Sequence, residues 1–106
     1  MLLQPKQSMF ARKIALLILY ADKQGYELTF GSAYIPERLI QHTLHKENTL
    51  HKKRLAIDLN LFKDGVWLNK TKHHKQLGEY WESIGGAWGG RFGDGNHYSL
   101  EHEGMR

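Results

Sequence analysis

The sequence contains no cysteine. The absence of thiols excludes disulfide bonds and every thiolate metal site, so a bound metal ion would need histidine, aspartate or glutamate ligands. The chain has seven histidines, and these are the first residues to consider for metal chemistry. Prolines number two, and no proline-rich linker, low-complexity tract or internal repeat divides the chain.

A long hydrophobic run is also missing. The most apolar segment, residues 14–20 (IALLILY), is far shorter than the roughly 20 residues that span a bilayer. Basic residues precede this segment, but no small-residue cleavage site follows it, as a signal peptide would require. We therefore interpret it as part of a buried or amphipathic helix. We expect no stable membrane insertion, and synthesis in the cytoplasm without a clear signal peptide.

Length and composition indicate one small globular domain. A chain of 106 residues has the size of a single domain and can bury a core without disulfides, so we predict one domain over residues 1–106. The apolar fraction of 41% and the charged fraction of 25% are ordinary for globular proteins. The net charge of +4 favours an anionic partner, such as nucleic acid, an acidic membrane or a cell-wall polymer, or simply keeps the protein soluble.

Hydrophobic periodicity predicts an α+β domain in which helices flank a small, mostly antiparallel sheet. The predicted helices cover residues 7–24, 36–44 and 73–84, and the predicted strands cover residues 26–34, 55–62, 66–68 and 97–101. Residues 45–54 and the glycine-rich segment 85–95 are predicted to be loops.

The strand over residues 55–62 carries an unexpected carboxylate. Its apolar residues alternate along one face: Leu55, Ile57, Leu59 and Leu61. Because successive side chains of a strand point to opposite faces, Asp58 lies on the other face, away from the core. A carboxylate in a cleft needs a partner, and a metal ion would supply one.

A second polar cluster, Asp94-Gly95-Asn96-His97, stands at the start of the last predicted strand. If this strand pairs beside the one that contains Asp58, His97 reaches the same cleft as Asp58 and His51. Two histidines and one carboxylate are a usual ligand set for a catalytic zinc, with a fourth position open to water. Asp94 would then lie near the metal as a general base for that water.

Other histidine pairs offer alternative ligands. His42 and His45 lie three residues apart on a predicted helix, and His73 and His74 are adjacent. The helical pair is geometrically possible but lacks a third ligand in clear register. Any single histidine is more often solvated or structurally hydrogen-bonded than catalytic.

Residues 49–59 (TLHKKRLAIDL) and residues 94–98 (DGNHY) together resemble the zinc peptidases of the D-alanyl-D-alanine carboxypeptidase and phage L-alanyl-D-glutamate endopeptidase type. The family pattern has Ser or Thr two residues before a first His and an Asp seven residues after that His. Later in the pattern, an acidic residue stands three positions before a second His. The Trp/Gly segment over residues 81–90 is also similar to the segment between the two halves, and the resemblance covers residues 26–101.

The resemblance implies a role for each matching residue. His51, Asp58 and His97 match the three zinc ligands, and Asp94 matches the catalytic acid and base. Thr49 matches the serine that usually precedes the first ligand and holds its loop by a hydrogen bond.

Two positions depart from the family pattern. Arg54 stands where many members have glycine, which would alter the approach to the metal. Members often carry an arginine after the aromatic residue of the second strand, where it helps to bind substrate. Here Tyr34 is followed by Ile35, and Arg38 is the nearest arginine. Arg38 is therefore the candidate for the substrate-binding cation.

The resemblance also implies a fold and a function. The fold is that of the D-Ala-D-Ala peptidases or hedgehog-like proteins, with the zinc site at the sheet. The function is zinc-dependent cleavage of stem peptides in bacterial peptidoglycan, by a phage or prophage lysin that acts on the cell wall after release. We expect a monomer whose partner is the peptide substrate. The cleaved bond, D-Ala-D-Ala or L-Ala-D-Glu, stays open.

Two alternatives belong to other function classes. A metal-dependent nuclease of the His-Asn-His type would fit the basic charge and the Asp-Gly-Asn-His segment, but we expect no room for its closing helix after residues 94–101. Basic residues cluster only at residues 52–54, so we expect no nucleic-acid partner. The non-enzymatic alternative is a zinc-stabilised module that binds the cell wall, which an activity assay separates from an enzyme.

Overall fold

A computed structural model of the chain describes residues 2–34 and 50–106. The helices are α1 (Leu3–Lys23) and α2 (Lys75–Ser83), and the strands are β1 (Glu27–Phe30), β2 (Ala56–Lys63), β3 (Val66–Leu68), β4 (Ala87–Trp88) and β5 (His97–Ser99). Short 3₁₀ turns cover Leu50–Lys53, Thr71–His74 and Gly89–Phe92. The helix predicted over residues 36–44 lies outside the described residues.

The sheet is built around β2, the longest strand in the described part of the chain. The strand order is β1-β2-β5-β4, and β3 pairs with β2 beyond the end of β5. Every strand pair formed by the described residues is antiparallel. The prediction of an α+β domain with a small antiparallel sheet and flanking helices is therefore confirmed.

The core lies between α1, α2 and one face of the sheet. The buried residues of α1 recur at helical spacing: Phe10, Ile14, Leu17 and Ala21. They belong to the same buried cluster as the apolar face of β2 and Trp81 of α2. Within the apolar segment at residues 14–20, Leu16 and Leu19 are exposed, which agrees with an amphipathic helix. Among the described residues, no helix is long and apolar enough to cross a membrane.

The glycine-rich segment is more ordered than predicted. Instead of one loop, it contains β4 and the 3₁₀ turn Gly89–Phe92. The indole nitrogen of Trp81 donates hydrogen bonds to the carbonyls of Ala87 at 3.2 Å and Ser99 at 2.9 Å, and so ties β4 to β5. A Cβ atom on Gly86 would lie 2.1 Å from that nitrogen. Glycine is needed here because the tryptophan packs directly against the backbone, a contact that local sequence patterns do not reveal.

Candidate metal centre

Asp58 lies directly opposite His97 because β2 and β5 pair in antiparallel register. Directly opposite residues of an antiparallel pair project from the same face of the sheet. The neighbours of Asp58 in β2, Ile57 and Leu59, are buried in the core, whereas Asp58 is half-buried. The alternation predicted for this strand is therefore confirmed, and it directs Asp58 and His97 to the face away from the leucines.

The 3₁₀ turn Leu50–Lys53 carries His51 towards the same face. The turn is closed by hydrogen bonds from the Arg54 N–H to the His51 carbonyl at 3.2 Å and from the Leu55 N–H to the Leu50 carbonyl at 3.1 Å. Leu50 is buried in the core and His51 is fully buried. The turn is anchored by its leucine, and its histidine is thereby fixed beside β2.

Arg54 has the left-handed backbone conformation, with φ of 56°. This conformation is unfavourable for residues with a Cβ atom and is most easily adopted by glycine, which gives a physical reason for glycine at this position in the resembled family. The guanidinium of Arg54 lies 4.1 Å from the centre of the Tyr34 ring, in a cation–π contact. The side chain that departs from the family pattern is thus engaged with Tyr34.

The three predicted ligands come together in space. His51 Nε2 lies 3.3 Å and His97 Nδ1 lies 3.7 Å from Asp58 Oδ1. The two imidazole rings are 5.3 Å apart between centroids and inclined at 65°. One ligand atom from each residue can be chosen so that all three lie within 4.8 Å of one another. Within residues 2–34 and 50–106, His51, Asp58 and His97 form the one group of His, Asp and Glu side chains whose ligand atoms lie close enough together to hold a metal ion.

The two histidines determine the charge state of Asp58. Burial of its carboxyl opposes ionisation, but hydrogen bonds and Coulombic attraction from His51 and His97 outweigh this effect. The result is a pKa of Asp58 lowered to about 2. Asp58 is therefore an ionised carboxylate throughout the neutral pH range, which is the form that binds metals.

The donor set fits a divalent metal ion. Zinc binds imidazole nitrogen and carboxylate oxygen at about 2.0–2.2 Å in a tetrahedron, so its ligand atoms lie about 3.4 Å from one another. The separations of 3.3 and 3.7 Å around Asp58 are close to this value. The Nε2 atom of His97 is also buried and has no hydrogen-bond partner among the described residues, so this second ring nitrogen is available to an ion as well. Three such donors leave one tetrahedral position for water or substrate.

The backbone of β1 and the two residues after it supports Asp58 from the other side. The Asp58 N–H donates to the Ser32 carbonyl at 2.9 Å, and the Gly31 N–H donates to the Asp58 carbonyl at 2.7 Å. Strand β1 ends at Phe30, earlier than predicted, but these bonds continue its pairing with β2. The Asn60 amide donates to the Thr29 hydroxyl at 3.2 Å.

Asp94 is exposed and lies in the turn that leads into β5. Its N–H donates to the Gly89 carbonyl at 2.9 Å, and its own carbonyl accepts from the His97 N–H at 3.1 Å. A Cβ atom on Gly89 would lie 2.3 Å from the Asp94 carbonyl oxygen and 2.6 Å from the His97 Cβ. The indole of Trp88 also donates to the Gly95 carbonyl at 2.8 Å. The turn is therefore packed tightly at its base while the Asp94 carboxylate stays accessible.

Phe92 was not predicted as part of the site. Its ring lies 6.0 Å from the His97 ring, and 55% of its surface is exposed. An exposed aromatic side chain beside a metal cluster offers an apolar contact for substrate. The sequence signal that could have identified Phe92 is the presence of an aromatic residue within a glycine-rich segment.

The remaining candidates do not join this cluster. His74 is buried, and its Nδ1 lies 2.8 Å from the hydroxyl of Tyr98. The Nδ1 atom of His73 accepts a hydrogen bond from the Lys70 N–H at 3.2 Å. Both histidines thus have structural partners. The other predicted residues lie outside the described residues: Arg38, His42, His45 and Thr49.

Similarity to known proteins extends to a family and to the fold. A family model described as D-alanyl-D-alanine carboxypeptidase matches residues 43–100, more than half of the chain. The crystal structure of Serratia marcescens L-Ala D-Glu endopeptidase ChiX is similar to this chain with a TM-score of 0.72 and 16% sequence identity, covering 89% of this chain and 79% of that chain. At this identity the likeness concerns the fold. No curated protein sequence matches significantly.

Proposed function

Because the chain belongs to the D-alanyl-D-alanine carboxypeptidase family and is a metallopeptidase acting on peptidoglycan, we propose that its metal is zinc, held by His51, Asp58 and His97. The observation that carries the proposal is the convergence of these side chains, with the two imidazoles 3.3 and 3.7 Å from one carboxylate oxygen. Two nitrogens and one oxygen at this spacing match the ligand set of hydrolytic zinc sites.

The chemistry divides between the ion and the chain. Bound zinc lowers the pKa of a water molecule to about 7 and polarises the scissile carbonyl. Asp94 accepts the proton of the attacking water and delivers it to the departing amine, a role that needs an accessible carboxylate near the ion. Asp58 remains ionised because its pKa is lowered to about 2, so it binds the ion without taking up this proton. Phe92 gives the substrate an apolar surface beside His97.

The proposed substrate is a peptide of the peptidoglycan stem that contains a D-amino acid. The net charge of +4 would help the enzyme to associate with the anionic wall. Arg38, which lies outside the described residues, is the proposed substrate-binding cation. We further propose that residues 1–106 form one peptidase domain that functions as a monomer.

Product analysis tests the proposed reaction. Purified peptidoglycan is digested with the wild-type protein, and the soluble products are identified by mass spectrometry. We expect one type of peptide bond to be cut, with a new amine and a new carboxyl group, and no glycan cleavage. His51→Ala, which removes a proposed ligand, should release no products. Binding to peptidoglycan without any cleavage would instead support the non-catalytic wall-binding module.

The site of action is a separate proposal. By resemblance, the protein is a phage or prophage lysin that is made in the cytoplasm and reaches the wall after release through a membrane lesion. Expression of the chain in bacteria with and without a pore-forming protein tests this, with culture turbidity as the readout. Lysis that depends on the pore is the expected result, and lysis of equal rate without it would contradict the proposal.

A further inference from the structure

A polar pocket lies beside the metal centre, where the edge of β2 passes from β5 to β3. Its volume is about 170 Å³, and Asp94 forms part of its wall. Among the residues that line it, Asn60 comes from β2, Trp67 from β3, Asn69 and Thr71 from the segment after β3, and Asp94 and Asn96 from the turn before β5. The pocket therefore shares one residue, Asp94, with the proposed chemistry.

The pocket continues the sheet face that carries the metal centre. Asp58, Asn60 and Phe62 alternate along β2 and share one face, and Trp67 lies directly opposite Phe62 in β3. The indole therefore projects from the same face as Asp58 and His97. Phe62 is four residue steps beyond Asp58 along the strand, a distance of about 14 Å. A ligand that extends from the metal centre along β2 would reach Asn60 first and then the Trp67 ring.

The lining favours a neutral ligand. The described residues that line the pocket include no lysine or arginine, and their one acidic side chain is that of Asp94. His74 also lines the pocket, and burial together with the charge of His73 lowers its pKa to about 4, so it is uncharged at neutral pH. A carboxylate-bearing peptide end would be repelled by Asp94 and would find no cationic partner here.

The shape of the lining adds a second requirement. Trp67 is 58% exposed and presents a flat apolar surface, and the three asparagine amides of the lining offer donors and acceptors. The Asn60 amide nitrogen is already bonded to Thr29, which leaves its carbonyl oxygen as an acceptor. This combination suits a ring with one apolar face and a periphery of hydroxyl and amide groups. In peptidoglycan, the N-acetylated hexosamines of the glycan strand have this chemistry.

We propose that this pocket binds an N-acetylhexosamine of the glycan strand, with the ring stacked on Trp67 and its hydroxyl and acetamido groups bonded to Asn60, Asn69 and Asn96. The proposal rests on the proposed function and names the part of peptidoglycan that the enzyme recognises besides the peptide.

The position of the pocket also bears on the bond that is cut. A sugar in the pocket contacts the wall formed by Asp94, and each residue of extended peptide adds about 3.3–3.6 Å. The first peptide bond of the stem is within this reach of Asp94. A bond four residues along the stem would lie more than about 10 Å further away. Sugar binding at this pocket therefore directs cleavage to a bond close to the glycan.

Kinetics with two soluble substrates test the proposal. One is the stem peptide linked to N-acetylmuramic acid, and the other is the same peptide without the sugar. For the wild type, we expect kcat/KM to be about tenfold higher with the sugar, the size of effect expected for one aromatic contact. In Trp67→Ala the ratio of the two values should fall towards one, mainly through KM. Val66→Ala, which changes the exposed neighbour of Trp67 in β3, should keep the wild-type ratio.

A binding measurement separates this proposal from the proposed function. N-acetylmuramyl peptide is titrated into Asp94→Asn and into the double variant with Trp67→Ala, and backbone amide shifts are followed by NMR. Saturable shifts at residues 67–69 and 96 in the first protein, and a weaker affinity in the second, are expected even if neither substrate is hydrolysed. Equal kcat/KM for the two substrates in the wild type would overturn the sugar site, as would equal affinities in the two proteins. Preferential binding of the sugar-free peptide would assign the pocket to a peptide residue.

Discussion

Asp58 faces two histidines from different parts of the chain: His51 Nε2 lies 3.3 Å and His97 Nδ1 lies 3.7 Å from the same carboxylate oxygen. His51 is fixed by the buried Leu50 in a 3₁₀ turn, and His97 is fixed by strand pairing. The 3₁₀ turn that fixes His51 and the strand pairing that fixes His97 are independent of each other. At this cluster, metal binding and the stability of the metal-free protein can therefore be tested separately.

Asp94 should be needed for turnover but not for metal binding. Asp94→Asn removes the proton acceptor while the backbone bonds of its turn remain, so we expect hydrolysis of peptidoglycan to fall by about 10²- to 10⁴-fold. The zinc content measured by atomic absorption should stay at the wild-type level. Asp64→Asn, a change of the same type in the exposed β2–β3 turn, is the control and should keep full activity. Loss of zinc in Asp94→Asn would show that Asp94 is a ligand.

Asp58 should make the stability of the metal-free protein dependent on acid pH. Its folded-state pKa of about 2 lies below the ordinary value of 3.8, so the stabilisation is present above about pH 4 and is lost as the pH falls towards 2. The linked free energy is on the order of 2 kcal/mol. Urea unfolding in the presence of chelator should show this decrease for the wild type and a weaker one for Asp58→Asn. Identical pH profiles for the two proteins would contradict the assignment.

Arg54 should be a position where glycine is better tolerated than alanine. With φ of 56°, alanine keeps the backbone strain and loses the contact with Tyr34, whereas glycine loses only the contact. We expect Arg54→Gly to be more stable than Arg54→Ala by about 1 kcal/mol in urea unfolding. Lys53 has no positive φ and serves as the matched position, where the glycine variant should be the less stable one. If the glycine and alanine variants had the same order of stability at position 53 as at position 54, this would argue against the left-handed conformation of Arg54.

Gly89 should be intolerant of a side chain. A Cβ atom would lie 2.3 Å from the Asp94 carbonyl oxygen, and the backbone that must move carries both Asp94 and His97. Gly89→Ala should therefore lower the free energy of unfolding by about 1–3 kcal/mol and reduce both zinc affinity and turnover. Isothermal titration with zinc and urea unfolding measure the two effects. Unchanged zinc affinity in a destabilised variant would show that the turn moves without disturbing His97.

The part of the site that the sequence predicted depends on short-range geometry. The alternation of leucines with Asp58 predicted which face carries the carboxylate, and the spacing of Asp94 and His97 predicted that they lie at the start of a strand. His97 meets Asp58 only if their two strands pair, over 39 residues of sequence separation. The sequence alone left this pairing as an assumption. The structure shows that the two strands do pair.

The rest could not be predicted because it depends on tertiary packing. Strand β4 has two residues and exists because Trp81 bonds the carbonyls of Ala87 and Ser99, a contact without local periodicity. The polar pocket forms where β2 passes from one partner strand to another, so its lining residues are distant in sequence. The contact of Arg54 with Tyr34 likewise joins two segments whose proximity follows from the β1–β2 pairing.

The central claim is that hydrolysis depends on a zinc ion bound by His51, Asp58 and His97. The most direct measurement is the metal content and peptidoglycan hydrolysis of one purified sample, before chelation, after chelation and after zinc is added back. About one zinc per chain, loss of activity on chelation and recovery with zinc are the predicted results, with His97→Ala unable to recover and His73→Ala indistinguishable from the wild type. A protein that holds no divalent metal and keeps its activity in chelator would contradict the claim.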